Sequence, residues 1–268
     1  MSTESDRVRQ SLSGDPILRI PKAAEQIAQR IRGQIVRGEI EPGTLLKPEK
    51  ELLAEYGVSR PTLREAYRVL ESEGLLVVTT GARGGPRVQV PDLGAASRQI
   101  GYYLQIRRTT LADLLEARAE FEPICARLLA GRRTEQALID LDECLTGLRT
   151  VVDAGFESDG RFVKWVEMTR EFHDLVTGHC GNNTLAAQAQ AMSAMIRAHH
   201  RSNLRSVNYR PSSPTIGPEV IADYTELLDK VRSRDAEGAE QTWRRHLRGS
   251  AKLTFATQDP SAVVDFLD

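Results

Sequence analysis

The chain has 268 residues, 27% charged and 40% hydrophobic, with 36 Lys and Arg against 37 Asp and Glu. That length allows one large domain or two modest ones. The net charge of −1 excludes a uniformly basic coat but leaves room for a local basic face. No apolar run approaches the roughly 18–20 residues a membrane span needs, and Met1 to Gly14 lacks the apolar core of a signal peptide. Three widely spaced cysteines, Cys125, Cys144 and Cys180, fit a reducing cytoplasm, where they serve as small apolar fillers.

Residues 1–20 read as a disordered arm rich in Ser and charge. Residues 21–90 carry eleven Lys and Arg against nine Asp and Glu, a balance of +2. Within them Ala23 to Ile40 is expected as a helix, with Ile27, Ile31 and Ile35 four apart. Pro42-Gly43 marks a turn, and Pro48 suits the first turn of a second helix holding Leu52, Leu53 and Tyr56. Gly57 closes that helix. Ser59 is a good N-cap for a third, Arg60 to Glu73, whose Leu63, Ala66, Tyr67 and Leu70 form one buried stripe.

Two short helices joined by a glycine turn make a helix-turn-helix. The outer side of the third helix carries Arg60, Arg64 and Arg68, with Ser59 and Thr62 at its N-terminal end. The start of such a helix enters the major groove, where Arg binds guanine bidentately and Ser or Thr reaches bases or phosphates. Lys50 is placed to meet phosphate. The competing reading is a solvated face, its arginines paired with Glu65 and Glu71. Two β-rich runs follow, Leu75 to Thr80 and Arg87 to Val90. Between them Gly81-Ala82-Arg83-Gly84-Gly85-Pro86 makes the tip of a hairpin, a wing whose Arg83 suits a narrow minor groove. The glycines match neither a P-loop nor a dinucleotide fingerprint.

The ordered run Pro42-Gly43, Pro48-Glu49-Lys50-Glu51-Leu52, Gly57-Val58-Ser59-Arg60-Pro61-Thr62-Leu63-Arg64-Glu65-Ala66 and Leu70-Glu71-Ser72-Glu73-Gly74-Leu75-Leu76 resembles the GntR family winged helix-turn-helix. The wing from Gly81 to Val88 resembles its FadR branch. The resemblance implies operator binding as a homodimer. It gives Lys50 a phosphate-contacting position and Arg60, Thr62 and Arg64 base- and backbone-contacting ones.

A break at Pro91-Asp92-Leu93-Gly94 opens a linker, 91–99. Residues 100–258 then read as an antiparallel bundle of six or seven helices, and 259–268 as a tail. Thr110 and Thr134 are expected caps. Leu138, Leu141, Leu145, Leu148 and Val152 form one stripe; Phe162, Val166, Thr169, His173 and Val176 form another. A last helix from near Asp235 turns Ala239, Trp243, His246, Ser250 and Leu253 inward. The fold class is thus mainly α, a winged helix-turn-helix followed by a helical bundle large enough to bury a core and a cavity. Residues 91–268 balance at −3.

Asp113-Leu114-Leu115-Glu116-Ala117-Arg118 with Glu122, then Phe172-His173 with Asn182, then His246-Leu247, resemble the FCD effector-binding domain. Many such domains hold a divalent metal on an Asp, a His one turn later, and two further His. Here Thr169 stands at the Asp position and Tyr224 at one His position, while His173 and His246 match. Two of four ligands are therefore replaced by weak neutral donors; no cofactor is the expectation, with a divalent metal on His173 and His246 as the weaker alternative. The resemblance turns Arg118 inward, suiting an anionic effector, with an intrahelical pair to Glu122 as its plainer reading. Thr169, His173, Tyr224 and His246 complete the expected effector pocket, while His199 and His200 read as a solvent-facing helix end. The expected partners are double-stranded operator DNA, a second copy of the chain, and a small anionic or amphipathic effector, an organic acid or acyl thioester. The alternative is a metal-dependent enzyme or metal sensor using His173, His246, Asp223 and Glu167, but no nucleophile–base pair stands out.

Overall fold

A computed structural model describes residues 22–81, 84–155, 159–204, 216–256 and 258–266; the arm expected over 1–20 lies outside them. The chain divides into two compact units between Asp92 and Leu93.

The first unit holds α1 (Ala23–Val36), α2 (Glu49–Tyr56), α3 (Arg60–Ser72), β1 (Leu76–Thr79) and β2 (Gly85–Val88). Ile27 and Ile31 of α1 pack on Leu52, Leu63, Tyr67 and Leu70, with Leu76 and Val88 closing the core. Gly57 ends α2 at φ +63°, its N–H donating to Leu53 O, a left-handed cap that glycine adopts without strain. The strands pair antiparallel, Leu76 with Val88 through Thr79 with Gly85. The second strand starts at Gly85, before the expected Arg87, because Gly85 and Pro86 pair with Thr79 and Val78; Thr44 to Leu46 runs along its other edge. Val88 N donates to Thr44 O, and Leu46 N donates to Pro86 O, both at 2.9 Å. At Gly84 a Cβ would lie 2.4 Å from Thr79 O, so this close turn requires glycine.

The second unit contains α4 (Leu93–Ile106), α5 (Leu111–Arg132), α6 (Glu135–Asp153), α7 (Asp159–Gly178), α8 (Asn183–Leu204), α9 (Ile216–Arg232) and α10 (Ala236–Phe255), seven helices among the described residues. Thr110 and Thr134 cap α5 and α6, accepting from Asp113 N and Ala137 N. Leu129, Leu141, Leu145, Leu148, Phe172, Leu227, Leu228 and Trp243 form the main core, all fully or almost fully buried. The three cysteines are buried in the free form. Asn182 Oδ1 accepts from Thr184 N and Leu185 N, closing the start of α8. Buried Pro123 sits inside α5. It has no N–H for the Ala119 carbonyl one turn back, and Arg244 of α10 donates to that carbonyl at 3.4 Å.

In this unit two boundaries and one side-chain orientation differ from the sequence reading. The expected linker 91–99 is helical from Leu93; its buried positions are Ser97 and Gly101, which give no apolar periodicity. The expected tail 259–268 is, over its described residues 259–266, a strap over the end of the bundle. Val264 and Phe266 are buried beside Leu111 and Met195, Leu111 N donates to Ala262 O, and Val264 N donates to Thr109 O. Leu253, expected inward, is 38% exposed.

Candidate functional sites

In the first unit, burying one side of α3 sets what the other side presents. Leu63, Ala66, Tyr67 and Leu70 are buried, so Arg60, Arg64 and Arg68 stand out, with side chains 74%, 66% and 76% exposed. Lys50 is exposed in the first turn of α2. Ser59, expected to cap α3, leaves the backbone amides alone; its Oγ lies 2.9 Å from Thr62 Oγ1, tying the two hydroxyls together beside Arg60. Arg68 pairs with Glu65 at 3.1 Å. Glu71 instead accepts from Val78 N at 2.9 Å and anchors the wing. Gly81, exposed at φ +115°, opens the tip, and Arg83 lies outside the described residues.

One residue here escaped the sequence reading. The Glu49 carboxylate lies 3.7 Å from Arg60 and 3.9 Å from Arg64. It orients both guanidinium groups from the helix below, at distances too long for tight pairing, so they remain available to a stronger anion.

In the second unit, α5, α7, α8, α9 and α10 surround a cavity of about 190 Å³. Its wall includes the five expected effector residues, Arg118, Thr169, His173, Tyr224 and His246, together with Arg170, Arg197, His200 and Gln258. Three arginines face it, and among the described residues no Asp or Glu lines it. Arg118 joins both readings made of it. Its Nε donates to Glu122 Oε1 at 2.6 Å, and its Nη2 lies 2.6 Å from His173 Nδ1. Glu122 is buried behind the wall; its Oε2 lies 2.9 Å from His173 Nδ1 and accepts from Trp243 Nε1 at 3.2 Å. Burial is the largest single influence and pushes the Glu122 carboxyl up, but Arg118, His173 and the hydrogen bonds from both together outweigh it, so Glu122 sits well below the usual range. Burial and the neighbouring Arg118 charge push His173 down, against the pull of Glu122, so its ring is neutral at pH 7. Arg197 pairs with Asp174 at 3.3 Å and donates to Ser193 Oγ at 2.8 Å.

These residues do not fit the family's metal. Thr169 Oγ1 spends its proton on Val166 O at 2.9 Å. Tyr224 OH reaches Thr169 O at 3.4 Å, and burial raises its phenol pKa, so it stays a neutral donor. His173 and His246 turn Nδ1 to the carboxylates of Glu122 and Asp223, at 2.9 and 3.0 Å, which leaves each Nε2 able to ligate; the misfit comes from the other two positions and from the Arg118 cation, 2.6 Å from the first imidazole, which repels a metal ion there. Among the described residues no group of three or more His, Cys, Asp or Glu is arranged to hold an ion.

The expected solvent-facing histidines are a correction. His199 is 2% exposed and accepts from Asp265 N at 3.2 Å. His200 lines the cavity; burial, then nearby Arg170, lowers its pKa to about 4. The strap that covers this helix end was read as a tail, which is why both rings looked exposed.

Residues 113–249 match the FCD domain model, and residues 23–84 match the bacterial regulatory proteins, gntR family. The chain is similar to the HTH-type transcriptional repressor NanR of Cronobacter sakazakii, 25% identical over 91% of this chain and 89% of the relative. It is also similar to the HTH-type transcriptional regulator Mce2R of Mycobacterium tuberculosis, 27% identical over 81% and 85%. In fold it resembles the Streptococcus agalactiae GntR structure, with a TM-score of 0.62 and 24% identity over 85% of this chain and 99% of that one.

Proposed function

The chain belongs to the gntR family of bacterial regulatory proteins and carries an FCD domain, a DNA-binding transcriptional regulator; from that premise we propose that its cavity takes a small organic anion as effector, without a metal. The observation that carries this reading is the wall itself, with Arg118, Arg170 and Arg197 and no lining carboxylate among the described residues. Guanidinium groups bind carboxylates through charge-assisted hydrogen bonds. The neutral His173 and Tyr224 OH add polar contacts without adding charge.

Volume narrows the effector class. A cavity of about 150 Å³ accommodates a benzene-sized molecule, so about 190 Å³ suits a compact acid rather than an acyl thioester. On DNA, Lys50 and Ser59 meet phosphate, Arg60, Thr62, Arg64 and Arg68 occupy the major groove, and the wing from Gly81 through Arg83 meets the minor groove. We further propose a homodimer on a palindromic operator with repressor action, lifted when the effector prefers one state of the sensor over the other. The exposed Ile100, Tyr103 and Ile106 on α4 offer an apolar surface to a second copy.

Thermal-shift and calorimetric titration of the full chain with lactate, malate, succinate and gluconate, each beside its carboxamide, tests the effector reading. Binding of one or more acids, with its amide at least about tenfold weaker, is the expected result. Equal binding of acid and amide, or no acid binding, overturns it.

A further inference from the structure

Among the described residues, Gln258 Oε1 and His200 Nε2 are buried atoms of the cavity wall with no hydrogen-bond partner. Buried polar groups are nearly always satisfied, so each such atom asks what fills it. A Gln carbonyl oxygen only accepts, so it calls for a donor from the ligand. An ammonium is the wrong donor beside three arginines, because like charges at close range repel. A hydroxyl supplies the hydrogen without charge. It also suits a neutral imidazole, which takes or gives one hydrogen bond at Nε2.

Both atoms are wired to the same segment. Gln258 begins the strap, its N–H donating to Thr254 O at the end of α10. His200 follows His199, which holds Asp265 N near the strap's far end. From there the strap is fastened to α4: Gln105 Nε2 donates to Asp265 Oδ1 at 3.1 Å, and Phe266 N donates to Gln105 Oε1 at 3.3 Å. The Phe266 ring lies against Gly101, where a Cβ would come within 3.0 Å of it.

We propose that Gln258 is a specificity-determining residue of the cavity, accepting a hydroxyl hydrogen from a small hydroxycarboxylate and so making the strap the element that reports occupancy to α4. This rests on the anion-binding reading of the cavity and adds to it the second functional group of the ligand. The carboxylate belongs to the arginines, the hydroxyl to Gln258 and His200.

The test compares matched acids that differ by one hydroxyl, malate with succinate and lactate with propionate, by calorimetry on the full chain. One or both hydroxy acids should bind the wild type about tenfold tighter than the partner lacking the hydroxyl, the worth of one hydrogen bond. Q258L should bring each pair to within about twofold, while the affinity for succinate and propionate stays unchanged. Q258L also removes an unsatisfied polar atom, so the ligand-free variant should melt no lower than the wild type, separating loss of recognition from loss of fold. Equal affinities within both pairs in the wild type, or a preference that survives Q258L, overturns the assignment of Gln258 while leaving the anion reading intact. Failure of these four acids and of gluconate to bind overturns both.

Discussion

Arg118 and Glu122 face each other across one turn of α5, Nε to Oε1 at 2.6 Å, with only 15% and 4% of their side chains exposed. The pair is the electrostatic centre of the sensor. Glu122 has its charge compensated before any ligand arrives, and the Arg118 guanidinium is fixed in the cavity wall beside a neutral His173.

Removing one member leaves the other buried and uncompensated. Glu122→Gln should lower the unfolding free energy by about 3–5 kcal/mol, and Arg118→Met with Glu122→Leu together should cost less than either single change. Urea unfolding followed by circular dichroism decides it. Additive losses would mean that the two side chains are energetically independent.

The neutral histidines set the acid limb of stability. His173 and His200 have folded pKa values below the unfolded value of 6.5. From pH 6.5 downwards the unfolded chain therefore binds protons that the folded chain refuses. Stability falls over that range, by up to about 1.4 kcal/mol per pH unit for each histidine. For His200 the fall ends near pH 4. Glu122, depressed in the folded state, adds a further loss below the usual carboxylate range. Denaturant unfolding between pH 7.5 and 4.5 should show the slope, and His200→Gln should flatten it. A pH-independent stability would contradict the burial of both rings.

On the reading face, Arg64→Ala should cost about 1–3 kcal/mol in operator affinity and relax the preference at one base position. Lys50→Ala should weaken binding to all sequences alike and reduce the salt slope by about one. Fluorescence anisotropy on an operator recovered by selection from random duplexes measures both. Glu49→Gln leaves Arg60 and Arg64 without their orienting carboxylate, and a change in selected sequence rather than in salt slope is expected.

Metal should contribute nothing to the sensor. Equilibrium dialysis against zinc or nickel should leave less than one bound ion per chain, and a chelator should leave the melting temperature unchanged. Stoichiometric binding abolished by changing His173 and His246 would refute the misfit described for Thr169 and Tyr224.

What the sequence revealed depended on how each residue announces its surroundings. The winged motif was legible because turn glycines, proline at a helix start and a four-residue arginine repeat each carry a local signature. The helix stripes were legible by period, and Arg118 by resemblance. Arg170, Arg197, His200 and Gln258 were not, because a polar residue turned into a cavity has the same local pattern as one turned to water. The strap was missed for the converse reason. Val264 and Phe266 owe their burial to α4, α5 and α8, all far earlier in the chain, and no local spacing records such a contact. Ser97 and Gly101 likewise hid a helix behind small buried residues.

Pro123 gives the α5–α10 contact an address. By withholding its own N–H it exposes one main-chain acceptor beside Glu122, and Arg244 docks there while also bonding Glu120 and Glu240. The proline thus turns a gap in the hydrogen bonding of α5 into a cross-helix contact, which joins the Arg244 and Arg248 pairs to Glu120 and the Trp243 bond to Glu122 in holding α10 against α5.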